Sequence, residues 1–378
     1  MNKIIKKLLC IGAVGAMTVM SLAGCGSSEG GAAATSGNEQ AETSVSAGEK
    51  DGLSFAGDIV GQGGVALDIF VNEMQYDFEM LGSDFQIYND NFTADTQMQN
   101  IETMASKGYN GIMVYGWNAT SYASISDVYK TAKIPFVIFD QIPRDDDSVA
   151  LMTANEYYVG SVGTDSYAEG VNAAQAMLDD GVKTAIILGG SVGDTIHDTR
   201  IEGFTATFES GGGQVLGAGR CTDPSEGTTK FDDMLSANGD VEGAYCLSGD
   251  YAIAAISAMG NHADTNVKLY VAGATTETIP YIKEGTIVYA DSGSKLVIPI
   301  AAALLKNYAQ GNIIKDADGN APYFNNVVPF EVTAENADQF SDLFLTGHPL
   351  TQDEINALVG PDVTYDDFVN FIETYSMD

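Results

Sequence analysis

Positive charge is scarce in this chain of 378 residues, where 17 lysines and arginines stand against 52 aspartates and glutamates, for a formal charge of −35. Such a field repels nucleic acid and anionic lipid surfaces, so nucleic acid is not an expected partner. Histidine is nearly missing too. Its three residues, His197, His262 and His348, are far apart and lack metal-ligand spacing. Asp316, Asp318 and Asn320 begin like a calcium loop, but the glycine comes too early and Val327 stands where the closing glutamate should be, so a turn is expected. No short-period repeat is present, which excludes a solenoid. Of four cysteines, Cys10 and Cys25 lie near the start. Cys221 and Cys246 remain, and whether they pair is left open by the sequence. No cofactor is implied, and no catalytic role is assigned to any residue.

The opening residues set the compartment. Lys3, Lys6 and Lys7 precede an apolar run from Leu8 to Ala23, which is of signal-peptide length and short of the roughly 20 residues that span a bilayer. It ends in Leu22-Ala23-Gly24-Cys25, which resembles the lipobox of bacterial lipoproteins. That resemblance implies cleavage after residue 24 and a lipid on Cys25. The expected product is extracytoplasmic, held to the membrane by its N-terminal lipid. Without residues 1–24 the chain keeps 14 basic and 52 acidic residues, a formal charge of −38. Residues 25–52 are mostly Gly, Ser, Ala, Thr, Glu and Gln, with almost nothing to bury, and read as a disordered tether.

Beyond the tether, strand patterns alternate with helical ones for about 270 residues, the signature of βα units and parallel sheets. Strands are expected at 53–60, 85–88, 111–115, 184–188, 214–218, 243–247 and 268–272. Helices are expected between them, for instance where Leu67, Phe70, Met74, Phe78 and Leu81 recur at helical spacing. The stretch Lys133-Ile-Pro-Phe-Val-Ile-Phe-Asp140 has neither helical nor alternating spacing. It predicts a strand buried on both faces, ending on a carboxylate. In parallel sheets the carboxyl ends of the strands open on a crevice where ligands bind, which makes Asp140 a candidate ligand residue. Residues 341–378 depart from the pattern. Thr351 with Glu354, and Thr364 with Asp367, predict capped short helices there.

Other polar or aromatic residues fall at strand ends, turns and helix starts. Gln62, Trp117, Gln141, Arg200, Asp250 and Asp291 join Asp140 as the candidate site. Trp117 is the candidate aromatic face, and Arg200 could instead pair with Glu202. A rival signal is Gly61-Gln62-Gly63-Gly64-Val65-Ala66, which fits G-x-G-x-x-A with Asp90 downstream and would suit a dinucleotide-binding anchored enzyme. Against it, glycines are common at such turns and the first strand reads as weak.

Gln97-x-x-x-Ile101 running into Gly108-Tyr-Asn-Gly-Ile112, Ile134-Pro135 through Asp140, Gly163-Thr-Asp165, Arg200-Ile-Glu-Gly-Phe204, Gly249-Asp250 and Ile282-x-x-Gly285-x-Ile287 follow one another in a familiar order. From about Ser54 to Glu335 the chain resembles the ribose-binding type of periplasmic sugar-binding proteins, receptors of bacterial ABC importers. The resemblance implies an α/β fold of two similar lobes, each a parallel sheet flanked by helices, joined by a three-strand hinge. The lobes would comprise 53–163 plus 293–322 and 164–292 plus 323–340, followed by a helical extension at 341–378. It also implies a monomeric binder, not an enzyme, that closes on a sugar and delivers it to a membrane permease; a sensor kinase or chemotaxis system is the alternative recipient. Asp140, Arg200 and Asp250 match the family's ligand positions. Gln141, Gly249 and Val65–Leu67 stand where an arginine, an asparagine and a phenylalanine pair are usual, so a neutral sugar or polyol other than ribose is expected.

Overall fold

The computed structural model describes residues 50–63, 65–262, 265–327 and 329–377. The expected signal peptide, Cys25 and nearly all of the tether lie outside them.

The first lobe runs β1 (Ser54–Ile59), α1 (Val65–Met80), β2 (Asp84–Asn89), α2 (Ala94–Lys107), β3 (Gly111–Tyr115), α3 (Tyr122–Ala132), β4 (Phe136–Phe139), α4 (Asp146–Thr153) and β5 (Tyr158–Thr164). The second repeats the plan with α5 (Ser166–Asp179), β6 (Thr184–Gly189), α6 (Thr195–Ser210), β7 (Gln214–Arg220), α7 (Gly227–Ala237), β8 (Gly243–Cys246), α8 (Gly249–Met259), β9 (Lys268–Ala272), α9 (Ile279–Glu284) and β10 (Ile287–Ser292). The chain then returns to the first lobe for α10 (Val297–Ala309) and β11 (Tyr323–Val327), and crosses back for β12 (Phe330–Glu331). It finishes with α11 (Ala337–Phe340), α12 (Gln352–Ala357) and α13 (Tyr365–Thr374).

Two six-stranded sheets result, ordered β11-β5-β4-β3-β1-β2 and β12-β10-β9-β8-β6-β7. Every pairing is parallel except β10 with β12. The chain passes between the sheets three times, after β5, after β10 and after β11, as the two-lobed expectation requires. One boundary moves. Tyr323 pairs with Ser161 and Val327 with Thr164, so β11 extends the first sheet and the third crossing follows 327 instead of 322.

The buried-run argument holds for β4, whose four residues are all buried, and for β3 and β8. β1 is better formed than its sequence suggests. It is central, between β2 and β3, and small residues such as Ala56 and Gly57 make room for neighbours at the cost of an obvious hydrophobic run. Helix α10 was not legible as amphipathic, because residues 297–307 are all buried: it packs against β3, β4, β5 and α1 on one side and α12 on another. Its Lys306 is buried as well, with Nζ bonded to Asp51, Leu81 O and Ser83 Oγ. Both expected capping boxes, Thr351 with Glu354 and Thr364 with Asp367, are formed. Cys221 and Cys246 are buried free thiols, and burial pushes the Cys246 thiol up to about 12. The turn at Asp316 is closed by its own carboxylate, which accepts from the Asp318 and Asn320 amides.

Candidate functional site

At the carboxyl ends of both sheets lies a cavity of about 210 Å³, lined from each lobe, from the hinge and from the C-terminal segment. It sits where β1 and β3, and equally β6 and β8, run side by side while their connections leave in opposite directions, the usual place for a ligand in such sheets.

The first lobe contributes Asp140 and Gln141 after β4, Tyr115 at the end of β3, and Leu67, Ile69 and Phe70 from α1. Asp140 is 4 % exposed, and its backbone takes φ 63°, a left-handed conformation that aspartate and asparagine tolerate better than most residues. Its amide donates to Val162 O at 2.9 Å, which pins the turn. Burial pushes its carboxyl up to about 6, against the opposing pull of the Tyr115 hydroxyl and of Arg200. Phe70 and Tyr115 meet edge to face at 6.3 Å and form an apolar wall beside it.

The second lobe contributes Asp194, Ile196, His197 and Arg200 from the start of α6, Ser248 to Asp250 from the start of α8, and Ala272 to Thr275 after β9. Arg200 does not pair with Glu202. Its Nε donates to the buried Glu169 at 2.6 Å and its Nη1 to Leu247 O at 2.9 Å. Burial alone would lower its pKa, but Glu169 outweighs that and keeps the guanidinium charged. Among the described residues Nη2 takes no partner, which leaves one donor edge for a ligand.

His197 was not legible as a site residue, because nothing in its spacing marks it. Its Nδ1 accepts from the Gly190 amide at 2.9 Å, so the ring proton sits on Nε2, and burial holds its pKa down at about 4. Gly190 is required for this, since a Cβ there would lie 2.6 Å from Nδ1. A similar close approach accounts for Gly249: a Cβ would meet Thr275 Cγ2 at 2.5 Å. Thr275 therefore occupies the space beside Gly249, and it is also one of the residues that line the cavity.

Three candidates do not line the cavity. Gln62 is exposed in the turn before α1. Trp117 is held away, with its Nε1 donating to Asp90 Oδ2 at 2.9 Å, and the aromatic rings that line the cavity from this lobe are Phe70 and Tyr115. Asp291 lies in β10 beneath the site, where burial and then Glu169 raise its pKa well above the carboxylate range, while its neighbour Ser292 faces the cavity. The dinucleotide signal fails on the same ground as Trp117. Asp90 is fully buried and bonded to Asn100 and Trp117, so it is closed to a ribose, and the Gly63 amide is already bonded to Asp68 at 2.9 Å. Gly189 to Gly193 spells G-x-S-x-G. Ser191 nevertheless lacks the strained positive φ of a nucleophile elbow, and its hydroxyl donates to Cys221 O at 3.3 Å.

Charge in the cavity is mostly negative. Asp140, Asp194 and Asp250 line it, whereas Arg200 is matched by Glu169 and Lys295 by Glu73, whose Oε2 lies 2.9 Å from Nζ. The arrangement offers acceptors, donors at Arg200 Nη2 and His197 Nε2, and an apolar wall, and among the described residues that line it no nucleophile with an activating base.

Two parallel sheets joined by three crossings, with a polar cavity at their carboxyl ends, define a two-lobed solute-binding protein. Residues 67–313 match the family described as a periplasmic binding protein domain, and the chain belongs to that family. Its members are binding proteins and not enzymes, and the family places the chain outside the cytoplasm. Solved structures show the same fold. A galactofuranose-binding protein superposes with TM-score 0.67 at 16 % identity, over 76 % of this chain and 96 % of its own. A solute-binding protein from Actinobacillus succinogenes 130z with bound D-allose gives 0.68 at 16 % identity, over 76 % and 99 %. The arabinose-transporter binding protein of Shewanella sp. ANA-3 gives 0.64 at 16 % identity, over 85 % and 99 %. No curated protein matches the chain. Among the described residues no helix is long and apolar enough to cross a membrane.

Proposed function

We propose that this protein captures a neutral, monosaccharide-sized sugar or polyol by hinge closure and delivers it to the permease of an ABC importer, while a lipid on Cys25 holds it at the outer face of the membrane. The observation that carries this reading is that Asp140 of one lobe and Arg200 of the other line one small cavity, beside the Phe70 and Tyr115 wall. A carboxylate accepts from adjacent hydroxyls, a guanidinium edge donates to a hydroxyl or ring oxygen, and an aromatic face covers the C–H side of a sugar ring. Surplus negative charge disfavours phosphates and carboxylates. At about 210 Å³ the cavity is smaller than the roughly 300–1,000 Å³ of sites for drug-sized ligands, which favours a single ring over an oligosaccharide. The structural neighbours that bind galactofuranose, D-allose and arabinose support the same class.

Closure follows because one ligand touches Asp140 on the first lobe and Arg200, His197 and Asp250 on the second, and so favours the state in which both sets reach it. Thermal-shift screening of the mature protein against D-galactose, D-allose, L-arabinose, glycerol, a dicarboxylate and a sugar phosphate tests the reading. A midpoint raised by a neutral polyol is expected. A response confined to the anionic compounds would overturn it.

A further inference from the structure

The C-terminal segment lies beyond the residues matched to the family, yet part of it faces the cavity: Phe340, Phe344 and Leu345 line it. The segment is fixed on both lobes. On the second, α11 packs against α9, Asp338 receives Lys283 Nζ at 2.8 Å on each oxygen, and Phe344 packs on Phe330 of β12 at 5.4 Å. On the first, His348 stacks on Tyr76 and its Nδ1 lies 2.8 Å from Glu73 Oε2, while α12 packs against α1 and α10. Lys295, in the second hinge crossing, bonds both Gly347 O and Glu73. Between the two anchorages the backbone forms a π-turn, Ser341–Leu345, a rare geometry that is frequent at functional sites.

We propose that residues 336–350 form a fourth connection between the lobes, one that adds a second apolar wall to the solute site beside that of Phe70 and Tyr115, so that Phe344 and Leu345 set which sugar fits and the strap limits how far the lobes open. The specificity half rests on the sugar-binding reading above. The two anchors explain the second half: separating the lobes must unwind the π-turn or release the Asp338 or His348 attachment. Stacking of Phe340 on Phe344 at 5.1 Å and 2° makes the wall a rigid unit that moves with the strap.

The test compares the full mature chain with Leu345→Ala and Phe344→Ala, using D-galactose and its methyl β-glycoside as probes in titration calorimetry. Cutting back the apolar wall enlarges the cavity by more than a methyl group and should raise the affinity ratio of glycoside to parent sugar by about tenfold or more, the discrimination one methylene usually carries. Phe344 is buried, so if its variant melts early, Leu345→Ala, on the partly exposed edge, decides the matter. An unchanged ratio in a folded variant that still binds galactose overturns the specificity role. If the wild type binds neither probe, the wall is tested with whichever neutral solute the screen returns. If none binds, the sugar reading itself has failed and the strap is judged alone, by X-ray scattering of the unliganded Asp338→Lys, His348→Ala double variant. A larger radius of gyration than wild type supports the tether, and an identical one refutes it.

Discussion

Replacing Asp140 with asparagine should make the unliganded protein more stable and a poorer binder at once. Burial pushes the Asp140 carboxyl up to about 6 from the ordinary 3.8 of an exposed aspartate, so its ionised form is disfavoured in the fold by about 3 kcal/mol. Because the folded state holds the proton more tightly, the wild type loses stability as pH rises from roughly 4 through 6, and the full cost is present at neutral pH. Asparagine keeps the shape, carries no charge and accepts φ 63°, so it removes that cost. For a domain pair of this size, 3 kcal/mol corresponds to roughly 4 °C in melting midpoint. Calorimetric scans at pH 7.5 and pH 4 should show Asp140→Asn melting about 4 °C above wild type at the higher pH and level with it at the lower. Binding should move the other way. Hydrogen bonds to a charged acceptor are worth about 1.5–3 kcal/mol, so losing one lowers affinity about tenfold to a hundredfold. The fall in wild-type affinity below pH 6 should vanish in the variant. Asp140→Ala is the less informative change, since alanine at this φ adds roughly 1–2 kcal/mol of strain. A variant that melts no higher than wild type at pH 7.5, or that keeps full sugar affinity, would refute the reasoning.

Arg200→Gln removes the partner of buried Glu169 and should cost about 3–5 kcal/mol in urea unfolding, far more than an exposed ion pair would. Gly190→Ala should weaken binding with a smaller loss of stability, because the added Cβ at 2.6 Å displaces the His197 ring; equal affinity in titration would show that His197 is not needed. Thiol titration of unreduced protein should find both Cys221 and Cys246 unreactive when native and both reactive in denaturant; absence of thiol after unfolding would mean a disulfide. Mass spectrometry of the cell-derived protein should find a diacylglyceryl group on Cys25, and a Cys25→Ser variant should be released from membranes.

The βα alternation, the buried β4 run and the position of Asp140 followed from local pattern, because a strand buried on both faces leaves a continuous apolar run and ends where polar residues resume. Arg200 and Asp250 were also legible, as polar residues at the starts of α6 and α8. The rest depended on distance in space. Nothing in sequence says that Glu169 meets Arg200 across 31 positions, that Trp117 is turned away by Asp90, or that His197 is held by the Gly190 amide. Helix α10 was lost because burial on every side erases amphipathic period. The C-terminal segment could be read only as two capped helices. Its course across the hinge is set by contacts with Tyr76, Lys283 and Phe330, residues 272, 55 and 14 positions from their partners. The sequence by itself determined the architecture and the strand ends from which a site could be built, since both depend on neighbours along the chain. Only tertiary structure decided which of those ends face one cavity and which charges there are already paired, since each of these depends on how the two lobes and the tail pack together.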